Sequence, residues 1–259
     1  MTETSSETPR AHDARREPGF WERYRQLFNR RGSDFWSIVF GYPVGRLLVL
    51  LILPFSWITP TLLTVVGFAC KLGAAALLWR ADLAPLVWVV VLLQAAQVLD
   101  SMDGTLARAR QSYSLTGAFL DKVTDALGLL AIAAALGWRA AHETGQLELI
   151  PLGFAGGAAF LMLCYMYWIV HAVRVKDADA GAISGGAPSI SWAGIGREWL
   201  RGFTRIVRFS EADLYLWIAL GAIFDLWAET VYLLCLSQGL TLVKRFVDHV
   251  RWLHRVDHE

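Results

Sequence analysis

The chain has 259 residues, 55% of them hydrophobic, and a formal net charge of +1. Ordinary soluble domains are roughly 45–50% apolar, so this composition predicts a membrane protein. The balanced charge provides no global basic field, and we therefore expect no nucleic-acid partner.

Residues 1–33 are predicted to form a polar N-terminal tail that ends in a short amphipathic helix. Apolar side chains recur there at helical spacing among arginines and glutamates, which is typical of a helix lying on an anionic membrane surface. A solvated tail is the alternative interpretation. The apolar members of the pattern are Phe20, Trp21, Tyr24, Leu27 and Phe28.

Residues 36–54 form an apolar segment that is interrupted by Pro43 and Arg46 and closed by Pro54. We interpret this segment as a juxtamembrane helix on the cytoplasmic surface. If it crossed the bilayer, either the Arg-rich N-terminus or a large basic loop further along the chain would lie outside. That arrangement would break the rule that lysine and arginine accumulate on the cytoplasmic side.

The later apolar runs have the length of roughly 20 residues that a helix needs to cross a bilayer core of about 30 Å. We therefore expect an all-α integral membrane domain over residues 34–250 with six transmembrane helices, and a cytoplasmic tail over residues 251–259. Asp225 and Glu229 predict a tight outer turn between the last two spans, and one longer span is the alternative. The spans are placed near residues 59–79, 83–108, 115–138, 148–174, 211–226 and 228–247.

The distribution of lysine and arginine predicts the orientation of these spans. Most of them fall in the N-terminal tail, the turn near residues 108–111, the loop at residues 174–208 and the C-terminus, whereas Arg80 and Arg139 fall on the other side. We expect a multi-pass protein of the cytoplasmic (inner) membrane with both termini in the cytoplasm. Within the basic loop, the Gly/Ser/Ala-rich residues 177–196 predict a flexible lid or linker.

Four aspartates lie at the ends of two of the predicted spans. Asp100 and Asp103 are three residues apart, and Asp121 and Asp125 are four apart, so each pair lies on roughly one face of its helix. A short turn near residues 109–114 makes the two helices antiparallel and brings both pairs to one cytoplasm-facing depth. Carboxylates at membrane depth are costly unless a cation or a wet cavity accompanies them, and they suit hard divalent metals.

Small residues and an arginine accompany these acids. Gly104, Ala107 and Gly117 would let a ligand approach the helix backbones closely, and Arg108 has the planar fork of donors that suits phosphate. Lys122 either reaches towards the membrane surface or pairs with a neighbouring carboxylate. A metal, an arginine and an open groove together favour a site for a phosphoanhydride, at which a carboxylate takes the proton of an attacking hydroxyl.

These positions resemble the motif of the CDP-alcohol phosphotransferases, integral membrane enzymes of phospholipid synthesis. The pattern runs Asp100-x-x-Asp103-Gly104-x-x-Ala107-Arg108, eight residues, then Gly117-x-x-x-Asp121-x-x-x-Asp125. The stretch Ile58-Thr-Pro-Thr-Leu-Leu-Thr64 is similar to the Ser/Thr-Pro-Asn-x-x-Thr stretch that opens the first span of the family, with Thr61 at the usual Asn position.

The resemblance implies that a hydroxyl of the acceptor alcohol attacks the β-phosphorus of a CDP-linked lipid and releases CMP. It implies two divalent ions, Mg²⁺ or Mn²⁺, and a homodimer. Asp125 would also act as the catalytic general base. The implied metal ligands are Asp100, Asp103, Asp121 and Asp125, and the implied CDP-binding residues are Thr64, Asp103, Gly104, Ala107, Arg108, Gly117 and Asp121.

Three further cations predict the chemistry of the acceptor. Arg174 and Lys176 close the fourth span and resemble the basic pair of family members that use phosphorylated polyols, and Arg208 precedes the fifth span. These residues predict an acceptor that carries a phosphate. The positive-inside rule alone is the competing explanation for them.

Two other functions compete with transfer from a CDP-lipid to a polyol phosphate. The same motif permits transfer from a soluble CDP-polar alcohol, such as CDP-choline or CDP-ethanolamine, to a lipid alcohol. A transporter or cation channel could use the carboxylates as its ion site, but the glycine, alanine and arginine positions would then have no role.

Overall fold

The computed structural model describes residues 20–27, 34–80, 86–112, 114–177, 191–203 and 211–256, and these segments contain helices and turns but no strand. The all-α fold class is therefore confirmed. The helices are α1 (Phe20–Gln26), a π-helical turn (Ser37–Gly41), α2 (Tyr42–Ile52), α3 (Pro60–Trp79), α4 (Leu86–Ala109), α5 (Leu115–Thr144), α6 (Leu149–Asp177), α7 (Trp192–Phe203), α8 (Glu211–Ile223) and α9 (Trp227–Val256).

Each predicted span lies on a helix, namely α3, α4, α5, α6, α8 and α9 in turn. By length and composition, three helices in the described part of the chain can cross a membrane: Pro60–Trp79, Leu86–Ala109 and Leu149–Val170. Shorter apolar helices lie at Ser37–Ile52 and Ala212–Ile223. The helices therefore support a membrane protein, and the number of six crossings stays a prediction.

The segment predicted to be a juxtamembrane helix is helical and packs against α4. Pro43 lies in the first turn of α2, directly after the π-helical turn Ser37–Gly41. Pro54 follows soon after the last residue of α2, Ile52, and cannot continue the helix. Pro43 thus lies within the helical run Ser37–Ile52, whereas Pro54 follows its end. The amphipathic pattern before it is helical over α1, whereas Phe28 lies outside the described residues.

Side-chain caps fix the starts of α3 and α5. The Thr59 hydroxyl accepts a hydrogen bond from the Leu62 amide at 3.1 Å at the start of α3. The Ser114 hydroxyl accepts one from the Gly117 amide at 2.9 Å at the start of α5. Each cap satisfies an amide that the first helical turn leaves without a partner.

A tight turn separates α8 from α9, as predicted, and the alternative of one longer span is wrong. Asp225 adopts a positive φ of 57° between Ile223 and Trp227. Its carboxylate accepts a hydrogen bond from the Trp227 indole. Asp is one of the few residue types other than glycine that tolerate this left-handed conformation.

One expectation about residues 174–208 is wrong, because this region is not all loop. It contains the helix α7, whose aromatic residues pack on the N-terminal segments. Trp192 stacks on Tyr24 with ring centroids 6.3 Å apart, and Phe203 lies 5.2 Å from Phe35. These contacts stabilise a helix in a region whose glycines and arginines indicated a loop.

The lid or linker predicted over residues 177–196 falls mainly on residues 178–190, which lie outside the described residues. Its flexibility stays a prediction. The ends of this segment are helical, since Asp177 ends α6 and Trp192 begins α7.

Glycines let α5 and α6 approach until their backbones touch. A Cβ atom on Gly153 would lie 2.6 Å from the Ala133 carbonyl oxygen and 2.7 Å from the Gly137 Cα. A Cβ atom on Gly137 would lie 2.6 Å from the Leu149 carbonyl oxygen. Such close crossings are typical of membrane helices, where small residues allow van der Waals contact between backbones.

We expect Gly153→Ala to destabilise the protein by about 1–3 kcal/mol, because the added methyl group must push two backbones apart. The matched control is Gly239→Ala in α9, where nothing lies within 4 Å of the added Cβ. The control should be neutral or slightly stabilising, since alanine favours a helix more than glycine does. Thermal unfolding of both variants in detergent measures the difference, and equal effects would contradict the close crossing.

Candidate active site

The site is built on the hairpin of α4 and α5. After α4 ends at Ala109, Gln111 takes a positive φ of 52° and the Ser112 amide donates to the Ala107 carbonyl at 2.9 Å. Ser114 then starts α5. This compact connection brings the end of α4 close to the start of α5, and the aspartates of the two helices converge as the spacing predicted. Helix α3 packs against both of them.

Three aspartates form a group that could hold a metal ion. One carboxylate oxygen each from Asp100, Asp121 and Asp125 lies within 4.8 Å of the others. Asp125 is buried and the other two are half-buried. Because hard divalent cations bind oxygen ligands at roughly 2.0–2.6 Å, three oxygens at this separation can coordinate one ion, and the predicted chemistry fits these residues.

Asp103, the fourth predicted metal ligand, is not in this group. Its Oδ2 atom accepts a hydrogen bond from the Thr64 hydroxyl at 2.5 Å, and its Oδ1 atom accepts one from the Gly104 amide at 2.5 Å. Asp103 is only 7% exposed, so these two donors satisfy a carboxylate that has little contact with solvent. Thr64 brings α3 into the site.

Two glycines that are predicted to contact CDP lie beside polar side chains. A Cβ atom on Gly104 would lie 3.2 Å from Arg108 Nη1, so the guanidinium lies over this glycine. Arg108 also donates to the Thr105 hydroxyl at 3.2 Å. A Cβ atom on Gly117 would lie 3.7 Å from the Thr61 hydroxyl, which joins the start of α3 to the start of α5.

Two lysines supply positive charge to the carboxylate group. Lys122 lies 2.7 Å from Asp121 Oδ2 and 3.5 Å from Asp125 Oδ2, with a side chain 52% exposed. Of the two alternatives predicted for Lys122, pairing with a neighbouring carboxylate is confirmed. Lys71 of α3 was not predicted to take part, yet its Nζ atom lies 2.6 Å from Asp125 Oδ1 and its side chain is 3% exposed. A lone charge within an apolar span is the sequence signal that identifies it.

Arg110 is a second residue whose role the sequence analysis missed. The sequence predicts only a cytoplasmic charge at this position, but the Arg110 guanidinium donates to backbone carbonyls at the end of α2 and in the following turn. The acceptors are the carbonyls of Ile58 at 2.5 Å, Phe55 at 2.9 Å, Leu53 at 3.1 Å and Ile52 at 3.3 Å. Arg110 therefore connects the segment that leads into α3 to the end of α4.

Two of the three predicted acceptor residues lie near the end of α6. The backbone of Arg174 and Lys176 continues α6 towards its end at Asp177, but the side chains of both residues lie outside the described part of the structure. Arg208 lies outside it altogether. Their role stays a prediction.

Comparison with known proteins identifies a family. A family model described as CDP-alcohol phosphatidyltransferase matches residues 57–196, which is more than half of the chain. The matched range includes all eight fixed positions of the pattern that runs from Asp100 to Asp125 on α4 and α5. A search of curated proteins finds no match.

We expect Arg110→Ala to destabilise the protein by about 1.5–3 kcal/mol, because it leaves several carbonyls without their charged donor. Arg80→Ala is the matched control, since Arg80 is an exposed arginine at the opposite end of α3. It should change stability by no more than about 0.5 kcal/mol. Thermal unfolding of both variants tests this difference, and an equally stable Arg110→Ala protein would show that the hydrogen bonds contribute nothing.

Proposed function

Because the chain belongs to the CDP-alcohol phosphatidyltransferase family, we propose that it transfers a phosphatidyl-type group from a CDP-lipid, such as CDP-diacylglycerol, to a hydroxyl of a polyol phosphate and releases CMP. The convergence of Asp100, Asp121 and Asp125 at the joined ends of α4 and α5 carries this proposal. A transporter would need the carboxylates, but it would give no role to Arg108 over Gly104.

Asp100, Asp103, Asp121 and Asp125 would hold two divalent ions, Mg²⁺ or Mn²⁺. Bound ions of this kind neutralise the charge of a diphosphate and of the phosphoryl group in transfer. The oxygen separations within the group of three are compatible with such an ion. Asp103 would complete the ligand set from the Thr64 side.

Asp125 is the proposed general base. The acceptor hydroxyl oxygen forms a bond to the β-phosphorus, and the bond from that phosphorus to the oxygen bridging the two phosphates breaks, so CMP leaves with the bridging oxygen. The hydroxyl proton passes to the Asp125 carboxylate. Lys71 binds Oδ1 of this carboxylate, whereas Oδ2 faces Lys122, whose side chain is half-exposed and can move aside. Oδ2 is therefore the oxygen that remains, and its two lone pairs would serve the metal ion and the hydroxyl.

The nucleotide would lie along the hairpin. Arg108 would donate to a phosphate oxygen, and Gly104, Ala107 and Gly117 would admit the ligand close to the backbone. Thr64, Asp103 and Asp121 would complete this binding site. The hydrogen bond of Arg108 to the Thr105 hydroxyl, at 3.2 Å, and the position of its guanidinium over Gly104 support this assignment.

We place the protein in the cytoplasmic (inner) membrane, with six crossings, the juxtamembrane helix and the active site on the cytoplasmic side, and a homodimer as the assembly. The lysine and arginine distribution supports the orientation. Arg174, Lys176 and Arg208 would bind the phosphate of the acceptor, and the surrounding bilayer would supply the CDP-lipid.

Purified protein supplied with CDP-diacylglycerol and a panel of polyol phosphates should release CMP in Mg²⁺ or Mn²⁺ and none in EDTA. Asp121→Asn should slow CMP release by on the order of 100-fold, because it removes charge from the site of phosphoryl transfer. Asp248→Asn, an exposed acid on α9, is the matched control and should keep the full rate. Turnover in EDTA would refute metal dependence, and CMP release only from CDP-choline with diacylglycerol would refute the CDP-lipid donor.

The acceptor prediction has a separate test. Arg174→Ala and Arg208→Ala should each raise the apparent KM for the polyol phosphate by about tenfold or more, because each removes a charge-assisted hydrogen bond. The KM for the CDP-lipid should change little. Steady-state kinetics with either substrate varied makes this measurement. Unchanged acceptor kinetics in both variants would assign these residues to membrane topology alone.

A further inference from the structure

Helix α3 contributes two polar side chains to the carboxylate group, and they lie on one face. Thr64 and Lys71 are seven residues apart, close to two full helical turns. The Thr64 hydroxyl binds Asp103 at 2.5 Å and the Lys71 ammonium binds Asp125 at 2.6 Å. Helix α3, which carries none of the four aspartates, therefore contacts one aspartate of α4 and one of α5.

Lys71 is held in place along its whole length. A Cβ atom on Gly128 would lie 2.5 Å from Lys71 Cδ and 3.1 Å from Lys71 Cβ, so the aliphatic stem runs through a notch that only glycine leaves open. The ammonium lies 5.7 Å from the centroid of the Tyr215 ring, at cation–π distance. Only 3% of the Lys71 side chain is exposed.

Lys122 differs from Lys71 in that its side chain is exposed to solvent. It contacts Asp121 and Asp125 from the solvent side, and half of its side chain is exposed. It can leave the carboxylates when a metal ion or a substrate arrives, because an exposed ion pair contributes little. The site thus has one cation that can be displaced and one that cannot.

We propose that Lys71 is a positioning residue and a fixed cation of this site: it holds Asp125 through Oδ1, directs Oδ2 to the acceptor hydroxyl, and lowers the affinity of the carboxylates for divalent ions. This inference rests on the proposed function of Asp125 and adds a residue that lies outside the motif. A permanent positive charge beside a metal ligand repels an incoming cation, whereas a fixed carboxylate orientation favours the reaction.

The test measures Mn²⁺ binding to the purified full chain without nucleotide, by electron paramagnetic resonance, together with kcat. Lys71→Met should bind Mn²⁺ about tenfold more tightly or better, because an unscreened charge is lost at short range. Its kcat at saturating Mn²⁺ should fall while the KM for the CDP-lipid changes little. Lys71→Arg keeps the charge and should keep the wild-type Mn²⁺ affinity.

Lys122→Met is the matched control for charge. It removes a displaceable cation and should tighten Mn²⁺ binding by less than about threefold. A purely structural Lys71 would leave Mn²⁺ binding unchanged or weakened in Lys71→Met, and either result in a folded variant overturns the proposal. Wild-type kcat in Lys71→Met also overturns it.

Should Lys71→Met fail to fold, the double variant Lys71→Met with Asp125→Asn removes both buried charges. Recovery of folding in the double variant supports the pairing, and its failure beside a folded Asp125→Asn protein overturns it. Failure of the proposed function gives a different result, namely Mn²⁺ binding by the wild type without CMP release from any CDP-alcohol.

Discussion

Electrostatic repulsion among the aspartates of α4 and α5 is the constraint on which the rest of the site depends. Asp100, Asp121 and Asp125 place oxygens within 4.8 Å of one another, which is tolerable at membrane depth only with compensating charge. The protein supplies part of that charge from α3, through Lys71, and part from the solvent side, through Lys122. A bound divalent ion would provide the remaining positive charge.

The helix packing follows from the same requirement. For Thr64 and Lys71 to reach the aspartates, α3 must pack against both α4 and α5, and it does. Gly128 leaves room for the lysine stem on α5, and Arg110 fixes the turn that leads into α3. Residues outside the motif thus hold the third helix at the distance that the ion pair needs.

The sequence predicted the helices of the six proposed spans, the short turn between α4 and α5 and the convergence of three aspartates, because spacing and hydropathy are local properties of the chain. It did not predict that Asp103 turns towards Thr64 or that Lys71 reaches Asp125. The residues of the first contact are 39 positions apart in the sequence, and those of the second are 54 apart. Lys71 was visible as a charge in an apolar run, but its partner depends on how α3 packs.

Helix α7 was missed for a different reason. Its aromatic residues have helical spacing, but glycines and arginines surround them, and the stacking of Trp192 on Tyr24 is a tertiary contact. Arg110 was likewise assigned to topology, since nothing in the sequence indicates that its guanidinium binds carbonyls of the turn before α3. Packing between distant segments decided each of these cases.

The most direct test of the account is the position of bound Mn²⁺ in crystals of the wild-type protein, located by anomalous X-ray scattering. The account predicts a peak within coordination distance, roughly 2.0–2.6 Å, of carboxylate oxygens from Asp100, Asp121 and Asp125, with Lys71 still bound to Asp125 and Lys122 moved away. Mn²⁺ bound elsewhere, or Lys71 displaced from Asp125 by the ion, would contradict it.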